Sequence, residues 1–161
     1  ECRGSGRQKQ KRKISVRIPA GVDNGSQIRI SGEGEAGVRG GLPGDIYVAL
    51  SVQPHEIFRR EGYEVLLELP VNFAQAALGD EVEVPTLYGE EKLKVPAGSQ
   101  SGRLLRMKGK GIPYLRGGGK GDQMVRPRVE TPESLSREQR QLFEKLSETM
   151  MPRNKDKKKK R

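Results

Sequence analysis

Residues 18–30 read IPAGVDNGSQIRI and residues 95–107 read VPAGSQSGRLLRM, so that Pro-Ala-Gly returns 77 positions later. The same offset of 77 positions relates Gly44-Asp45 to Gly121-Asp122, and no gap is needed between the matched positions. A single pair of matched glycines is expected by chance in a chain with 21 glycines. A series of glycine and apolar positions that all match at one offset is not. The sequence therefore contains two copies of one structural unit.

Each copy has the pattern of β-strands joined by turns. Apolar residues alternate with polar ones over 14–18 and 28–30, which is typical of half-buried strands. The segment 46–52 is more continuously apolar and predicts a strand that is buried on both faces. The glycine-rich segment 31–45 predicts a long loop. We therefore expect an all-β fold.

A second group of elements lies between the two copies. The alternation over 65–69 predicts a strand, and 81–95 predicts a hairpin. Asn72 and Gly79 are placed to cap and end a short helix. These small units, with 4% aromatic residues, favour two consecutive β-sandwich-like domains over one barrel. We divide the chain into a basic linker (1–13), a first β domain (14–62), a second β domain (63–132), a C-terminal helix (133–152) and a basic tail (153–161).

The hydrophobic pattern changes to a helical period near the C-terminus. Ser136 followed by Gln139 is typical of a capping box, and Pro152 would close the helix. A helix of about 14 residues is marginal alone and must bury its apolar stripe. The stripe can dock on its own β domain or on a second copy of the chain. We favour a homodimer because residues 131–134 are typical of a short linker that would hold the helix away from the sheet. The dimerisation residues predicted on this stripe are Leu142, Phe143, Leu146 and Met150.

The net charge of +10 is confined to the two ends of the chain. Residues 1–13 carry +5 and residues 153–161 carry +6, so the middle is −1. Such polar runs are typical of solvated, disordered termini, although an arm that binds polyanions is the alternative. A folded nucleic-acid-binding domain would carry its positive patch on the folded part of the chain and not at its ends. We therefore do not expect nucleic acid as a partner.

Other classes of protein are excluded by composition. No apolar run approaches the roughly 18–20 residues that span a bilayer, and no secretory signal precedes one, so we expect a cytoplasmic protein. A single cysteine, Cys2, rules out a disulfide scaffold. With His55 as the one histidine, no catalytic triad or metal cage can be assembled. The glycine-rich segment 117–122 lacks the Lys-Ser/Thr of a phosphate-binding loop. We therefore predict that the chain is not an enzyme.

One large apolar side chain stands out in a polar turn. Phe58 lies within 54–62. Its side chain either packs this turn onto its own domain or lines a shallow apolar pocket. In the second case an extended peptide could add its backbone to the adjoining strand edge and seat a side chain in the pocket. Ile14, Val16 and Ile18 are the apolar residues that we expect along that edge.

Four groups of residues together match the pattern of one known family. They are Cys2-Arg3-Gly4-Ser5-Gly6, residues 18–25, residues 44–48 with 55–62, and residues 69–89 with 95–111. These motifs resemble the DnaJ family of J-domain co-chaperones, in the class with a zinc-binding region, and Cys2 to Gly6 is similar to the end of the last zinc motif of that family. The resemblance extends over nearly all of residues 1–150 and is specific to the C-terminal part of the family.

The resemblance implies a function in binding other proteins. The first domain of this family binds exposed apolar segments of unfolded polypeptides, prevents their aggregation and delivers them to the seventy-kilodalton heat-shock chaperone. Phe58 matches the pocket phenylalanine of the family, and Ile14 and Val16 fall on the strand expected to line that pocket. The C-terminal stripe matches the dimerising helix by position and pattern.

The chain also departs from the family in ways that limit what we expect of it. It contains no His-Pro-Asp motif and no Gly/Phe-rich linker, so it should not stimulate the ATPase of the heat-shock chaperone. Cys2 is one of eight expected zinc ligands and cannot hold Zn²⁺ alone, so zinc is expected in the intact parent and not here. The first strands of the first domain precede the zinc region in this family, and we therefore expect that domain to be incomplete.

Overall fold

A computed structural model describes residues 11–150 of the chain. Its strands form three sheets, with the orders β1-β2, β3-β4-β8-β7 and β5-β6. A short helix follows β4 and a longer helix ends the described chain, so the predicted all-β class with a C-terminal helix is confirmed. The elements are β1 (Gln27–Ile30), β2 (Ile46–Ala49), β3 (Phe58–Glu61), β4 (Glu64–Asn72), α1 (Phe73–Leu78), β5 (Asp80–Thr86), β6 (Gly89–Val95), β7 (Leu105–Met107), β8 (Gln123–Glu130) and α2 (Arg137–Met150).

The sequence repeat is a structural repeat with one shared register. In the first copy β1 pairs antiparallel with β2, and Ile28 lies opposite Val48. In the second copy β7 pairs antiparallel with β8, and Leu105 lies opposite Val125, each 77 positions later. The turn bonds repeat as well, since Gly25 N–H donates to Leu50 O at 2.9 Å as Gly102 N–H does to Pro127 O at 3.2 Å.

An aspartate closes the hairpin loop in both copies. Asp45 accepts a hydrogen bond from the Gly32 N–H at 2.9 Å and from Arg29 Nε at 2.7 Å. Asp122 accepts the equivalent bonds from the Gly109 N–H at 2.7 Å and from Arg106 Nε. The backbone bond and then the arginine lower the pKa of both carboxyl groups below the usual value of 3.8. The repeated Gly-Asp motif is therefore a repeated clamp on the loop between the strands.

The second copy is completed by two further layers of structure. β4 inserts beside β8 in parallel, with Leu67 opposite Val125, and β3 pairs antiparallel with β4. The β5–β6 hairpin covers one face of this sheet, where Val84 packs with Leu67, Val125 and Met107 in the core. Gln123 joins the layers, because its Nε2 donates to Pro85 O at 2.8 Å. This unit is a small two-layer sandwich.

The short helix α1 forms as its sequence predicts. The Asn72 side chain accepts a hydrogen bond from the Gln75 N–H at 2.8 Å, and Gln75 Oε1 accepts one from the Asn72 N–H at 3.0 Å. Gly79 ends the helix with φ +81°, and a Cβ at this position would meet Ala97 N at 2.9 Å. A glycine is needed there for both reasons.

The structure differs from the predicted strands at three places. Residues 14–18 belong to no strand, because no ladder partner for them lies within residues 11–150. β2 alternates between half-buried and exposed residues, and the prediction of a strand buried on both faces is wrong because β1 is its single ladder neighbour among the described strands. We placed a domain boundary after Gly62, but the β3–β4 hairpin turns there with φ +64° and carries the sheet across that position.

The C-terminal helix α2 begins with the predicted capping box. The Gln139 N–H donates to Ser136 Oγ at 3.2 Å, and the Ser136 N–H donates to Gln139 Oε1 at 2.9 Å. No residue of α2 is buried, so its apolar stripe stands open. No helix within residues 11–150 is long and apolar enough to cross a membrane. Pro152 and the basic tail lie outside the described residues.

Candidate functional site

A cavity of about 630 Å³ lies where the first repeat meets the second. The first repeat and the segment that follows it contribute Asn24 and residues 52–55, and the second unit contributes β3 and parts of β4 and two loops. Polar groups, including Arg59 and Arg60, lie among its lining residues. The apolar lining consists of Val52, Pro54, Phe58, Val65, Leu87 and Ile112.

Phe58 opens β3 and belongs to this cavity. Its position opposite Leu67 turns the ring toward the core face of the sheet, where it packs against the buried cluster. The ring is nevertheless only half-buried, and the His55 ring lies 4.9 Å from it between centroids. Phe58 thus both anchors β3 to the core and presents apolar surface to the cavity, so neither sequence-based interpretation of this residue excludes the other.

The turn before Phe58 is held by His55. The Ile57 N–H donates to His55 Nδ1 at 3.2 Å, which requires the unprotonated nitrogen at that position. The same imidazole lines the cavity beside the Phe58 ring. His55 is therefore a turn residue that also contributes to the cavity wall.

Arg60 joins the two units beside the cavity. Its Nη1 donates to Val22 O at 2.6 Å, its Nη2 donates to Gly21 O at 3.1 Å and its Nε donates to Gly62 O at 2.8 Å. Gly21 approaches the second unit so closely that a Cβ would lie 2.1 Å from Pro113 O. The planar fork of the guanidinium therefore holds the first-repeat turn against β3 and sets one wall of the cavity.

An unpaired strand edge adjoins the cavity. Within the described residues β3 is hydrogen-bonded to β4 alone, so its other edge presents free backbone groups next to Phe58. An extended peptide can pair with such an edge while its side chains enter the apolar cavity. The arrangement can thus bind a peptide without any chemical step.

The structure does not bring the other predicted pocket residues to Phe58. Ile14 and Val16 are half-buried and Ile18 is 56% exposed, and none of the three lines this cavity. Sequence reasoning missed Leu87 and Ile112, which reach the cavity from a hairpin turn and a glycine-rich loop of the second unit. No local pattern marks either residue, because tertiary packing alone places them there.

A second groove, of about 980 Å³, runs between the ends of β4 and β8 and the start of α2. Phe73 and Phe143 face this groove with Pro70, Pro132 and Leu135. The four predicted dimerisation residues of α2 are all exposed, with exposed fractions of 60% for Leu142, 40% for Phe143, 37% for Leu146 and 65% for Met150, and Phe143 also lines this groove.

The zinc implied by the resemblance has no set of donors in the described part of the chain. Within residues 11–150, no group of three or more His, Cys, Asp or Glu side chains is arranged to hold a metal ion. Cys2 lies outside the described residues. The described residues therefore do not fit a zinc site.

Comparison with known proteins identifies the family. The family described as "DnaJ C terminal domain" matches residues 3–132. The chain belongs to this family.

Three relatives carry the name "Chaperone protein DnaJ". That of Parageobacillus thermoglucosidasius is 53% identical over 91% of this chain and 39% of its own length. That of Geobacillus thermodenitrificans is 57% identical over 88% of this chain and 38% of its length, and that of Roseiflexus sp. is 59% identical over 89% and 39%. The chain thus spans about two fifths of these relatives.

Proposed function

We propose that this chain binds exposed apolar segments of unfolded polypeptides and thereby prevents their aggregation. The observation that carries the proposal is the half-buried Phe58 ring in an apolar cavity beside the unpaired edge of β3. Unfolded chains expose the two kinds of group that this site can bind, which are apolar side chains and unpaired backbone groups. The names of the relatives support a chaperone function.

The binding is weak at each site and tolerant of sequence. Burying one Leu or Phe side chain is worth about 1.5–3 kcal/mol. Much of that gain is offset by the ordering of the peptide and by the loss of its free motion. Backbone pairing along β3 is independent of side-chain identity, so the cavity alone discriminates, and it selects apolar character and not a particular residue.

The first test removes the Phe58 ring. Phe58→Ala should weaken binding of an apolar peptide about tenfold, because it removes an aromatic ring from the apolar lining of the cavity. Fluorescence anisotropy of a labelled peptide measures the affinity, and light scattering of an aggregating client measures the protection.

A matched control separates binding from stability. Leu69→Ala removes a side chain that packs against the same core cluster but does not line the cavity, so it should destabilise the fold and leave affinity unchanged. Equal loss of affinity in both variants would contradict the pocket. Unchanged affinity of Phe58→Ala together with a steep dependence on salt would instead favour binding by the basic ends of the chain.

We also propose that α2 joins two copies of the chain into a homodimer. Support comes from its stripe, which exposes Leu142, Phe143, Leu146 and Met150, and from the adjoining groove beside Phe73. Two copies place two weak sites on one client, so the second contact becomes intramolecular and avidity strengthens the complex. Deletion of residues 135–161 should halve the mass in sedimentation equilibrium, and an unchanged mass would refute this assignment.

The remaining parts of the proposal concern the intact protein. There the bound client would be delivered to the seventy-kilodalton heat-shock chaperone in the cytoplasm, and a separate region would hold zinc. The activity proposed for this chain itself is binding without catalysis. Isothermal titration of the heat-shock chaperone into this chain, with and without a client peptide, would test whether any of that contact resides here.

A further inference from the structure

The turn that leads into β3 carries the one histidine of the sequence, and this histidine lines the cavity. His55 Nδ1 accepts a hydrogen bond from the Ile57 N–H at 3.2 Å. The His55 ring also lies 4.9 Å from the Phe58 ring between centroids, with the two planes inclined by 45°. One side chain therefore contacts both the backbone of the turn and the aromatic ring of the cavity.

The bond from Ile57 exists in only one charge state of the imidazole. A ring nitrogen that accepts a hydrogen bond carries no proton, so neutral His55 has its proton on Nε2. A protonated imidazole carries a proton on both nitrogens, and Nδ1 would then meet the Ile57 N–H as a second donor. Protonation of His55 thus replaces a hydrogen bond by a contact between two donors.

The position of Phe58 depends on this bond. The bend at residues 56–57 leads directly into Phe58, which is the first residue of β3. Phe58 is held on its other side by the ladder to β4, where it lies opposite Leu67. The bond between His55 and Ile57 therefore fixes how the chain enters β3 and how the Phe58 ring meets the cavity.

The proton can reach His55 without unfolding of the chain. His55 is exposed, and imidazoles change charge between about pH 5 and pH 8. Carboxylates and guanidinium groups generally keep their charge between about pH 5.5 and pH 8. His55 is therefore the group of the cavity lining that titrates in this range.

The charged neighbours of His55 are mostly positive. The charged side chains that line the same cavity are Asp23 of the first-repeat turn and Arg59 and Arg60 of β3. Asp23 Oδ1 lies 3.8 Å from Arg60 Nε, so the carboxylate of this lining is already beside a guanidinium. The adjacent Glu56 belongs to a separate depression with Leu66 and Arg59. A proton on His55 would thus add a third positive charge to the cavity lining.

We propose that neutral His55 positions the Phe58 ring for binding, and that protonation of His55 weakens the binding of apolar segments. This inference rests on the proposed function, because the site that it regulates is the Phe58 cavity beside β3. His55 is a positioning residue that acts through the turn and through Phe58. The chain holds a client at neutral pH and releases it more readily in mild acid.

The test measures the affinity of the full chain for an uncharged apolar peptide of about seven residues at about pH 7.5 and at about pH 5.5. The dissociation constant should rise about fivefold at the lower pH, which corresponds to the loss of one ordinary hydrogen bond. His55→Asn supplies an acceptor that does not titrate, so its affinity should be the same at both pH values. His55→Phe keeps a ring without an acceptor, and it should bind at both pH values as weakly as the protonated chain.

NMR of the peptide-free chain provides a readout that is independent of binding. The amide proton of Ile57 should shift with pH at the same midpoint as the Cε1 proton of the His55 ring, because the two groups share the hydrogen bond. Since binding and protonation are linked, saturating peptide should move that midpoint to lower pH.

The outcomes separate this inference from the function on which it rests. A peptide that does not bind the unaltered chain at pH 7.5 refutes the proposed function itself. Binding that is equal at both pH values, a pH dependence that survives in His55→Asn, or an Ile57 amide that does not follow the His55 ring refutes the inference alone. Loss of the folded state at pH 5.5 in thermal unfolding also refutes it, since unfolding would then explain the weaker binding. Should His55→Asn fail to fold, the loss of pH dependence in His55→Phe provides the same measurement.

Discussion

The two copies of the repeat share their hydrogen bonds but not their burial. β2 has β1 as its single ladder neighbour among the described strands, whereas β8 lies between β4 and β7. Val48 is half-buried, while its equivalent Val125 is fully enclosed. The local sequence therefore determines the turn, the clamp and the register, whereas the neighbours of the strand determine whether the same residues form a core.

The difference also explains where the proposed binding surface lies. The second unit has a packed sandwich that supports β3, since Phe58 packs against the buried cluster of Leu67, Val84, Met107 and Val125. The first unit contributes a turn that Arg60 ties to this support through Gly21 and Val22. The cavity at the junction is therefore lined on one side by the packed sandwich and on the other side by a turn that the Arg60 guanidinium holds in place.

The largest expected effect contrasts the same substitution at two equivalent positions. Val125→Ala removes two methyl groups from a fully buried site and should cost about 2 kcal/mol of unfolding free energy. Val48→Ala removes them from a half-buried site and should cost less than about 1 kcal/mol. Urea unfolding followed by residue-resolved NMR measures both, and equal costs would contradict the difference in burial between the copies.

A smaller effect tests what the copies share. The pKa of Asp45 and that of Asp122 lie below 3.8 in the folded chain, so the folded state binds fewer protons than the unfolded state near that pH. The stabilisation by each clamp is therefore present above pH 4 and is lost as the pH falls through the lowered pKa.

Asp45→Asn and Asp122→Asn should each reduce the loss of stability on acidification. Thermal unfolding between pH 2 and pH 6 follows this loss. Because both carboxylates accept the same two bonds, the two variants should change the pH dependence in the same direction. A change in one variant alone would show that the clamps are not equivalent.

The local elements could be predicted from the sequence because their signals lie within a few residues. Asn72 caps α1 and Ser136 caps α2 as expected, and the spacing of 77 residues aligns the strand pairs of both copies. Each of these features depends on backbone hydrogen bonds between residues that the sequence itself places in register.

The remaining features depend on packing partners that no local pattern encodes. The alternation over 14–18 favours a strand, but a strand also needs a ladder partner, and the described residues supply none. Phe58 could be found from the sequence because it is a large apolar residue in a polar turn, whereas Leu87 and Ile112 were missed because they reach the cavity from distant loops. The contact between the Tyr63 and Tyr114 rings was missed for the same reason, since these residues are 51 positions apart in the sequence.

The most direct test of the central claim is an NMR titration of the full chain with an apolar peptide of about seven residues. The account predicts saturable shifts of the backbone amides of Phe58, Val65, Leu87 and Ile112, with those of Tyr47 and Leu42 unmoved, and in Phe58→Ala the shifts at Val65, Leu87 and Ile112 should need about tenfold more peptide to saturate. Shifts confined to the groove beside Phe73 and Phe143, or saturation of Phe58→Ala at the same peptide concentration as the unaltered chain, would contradict it.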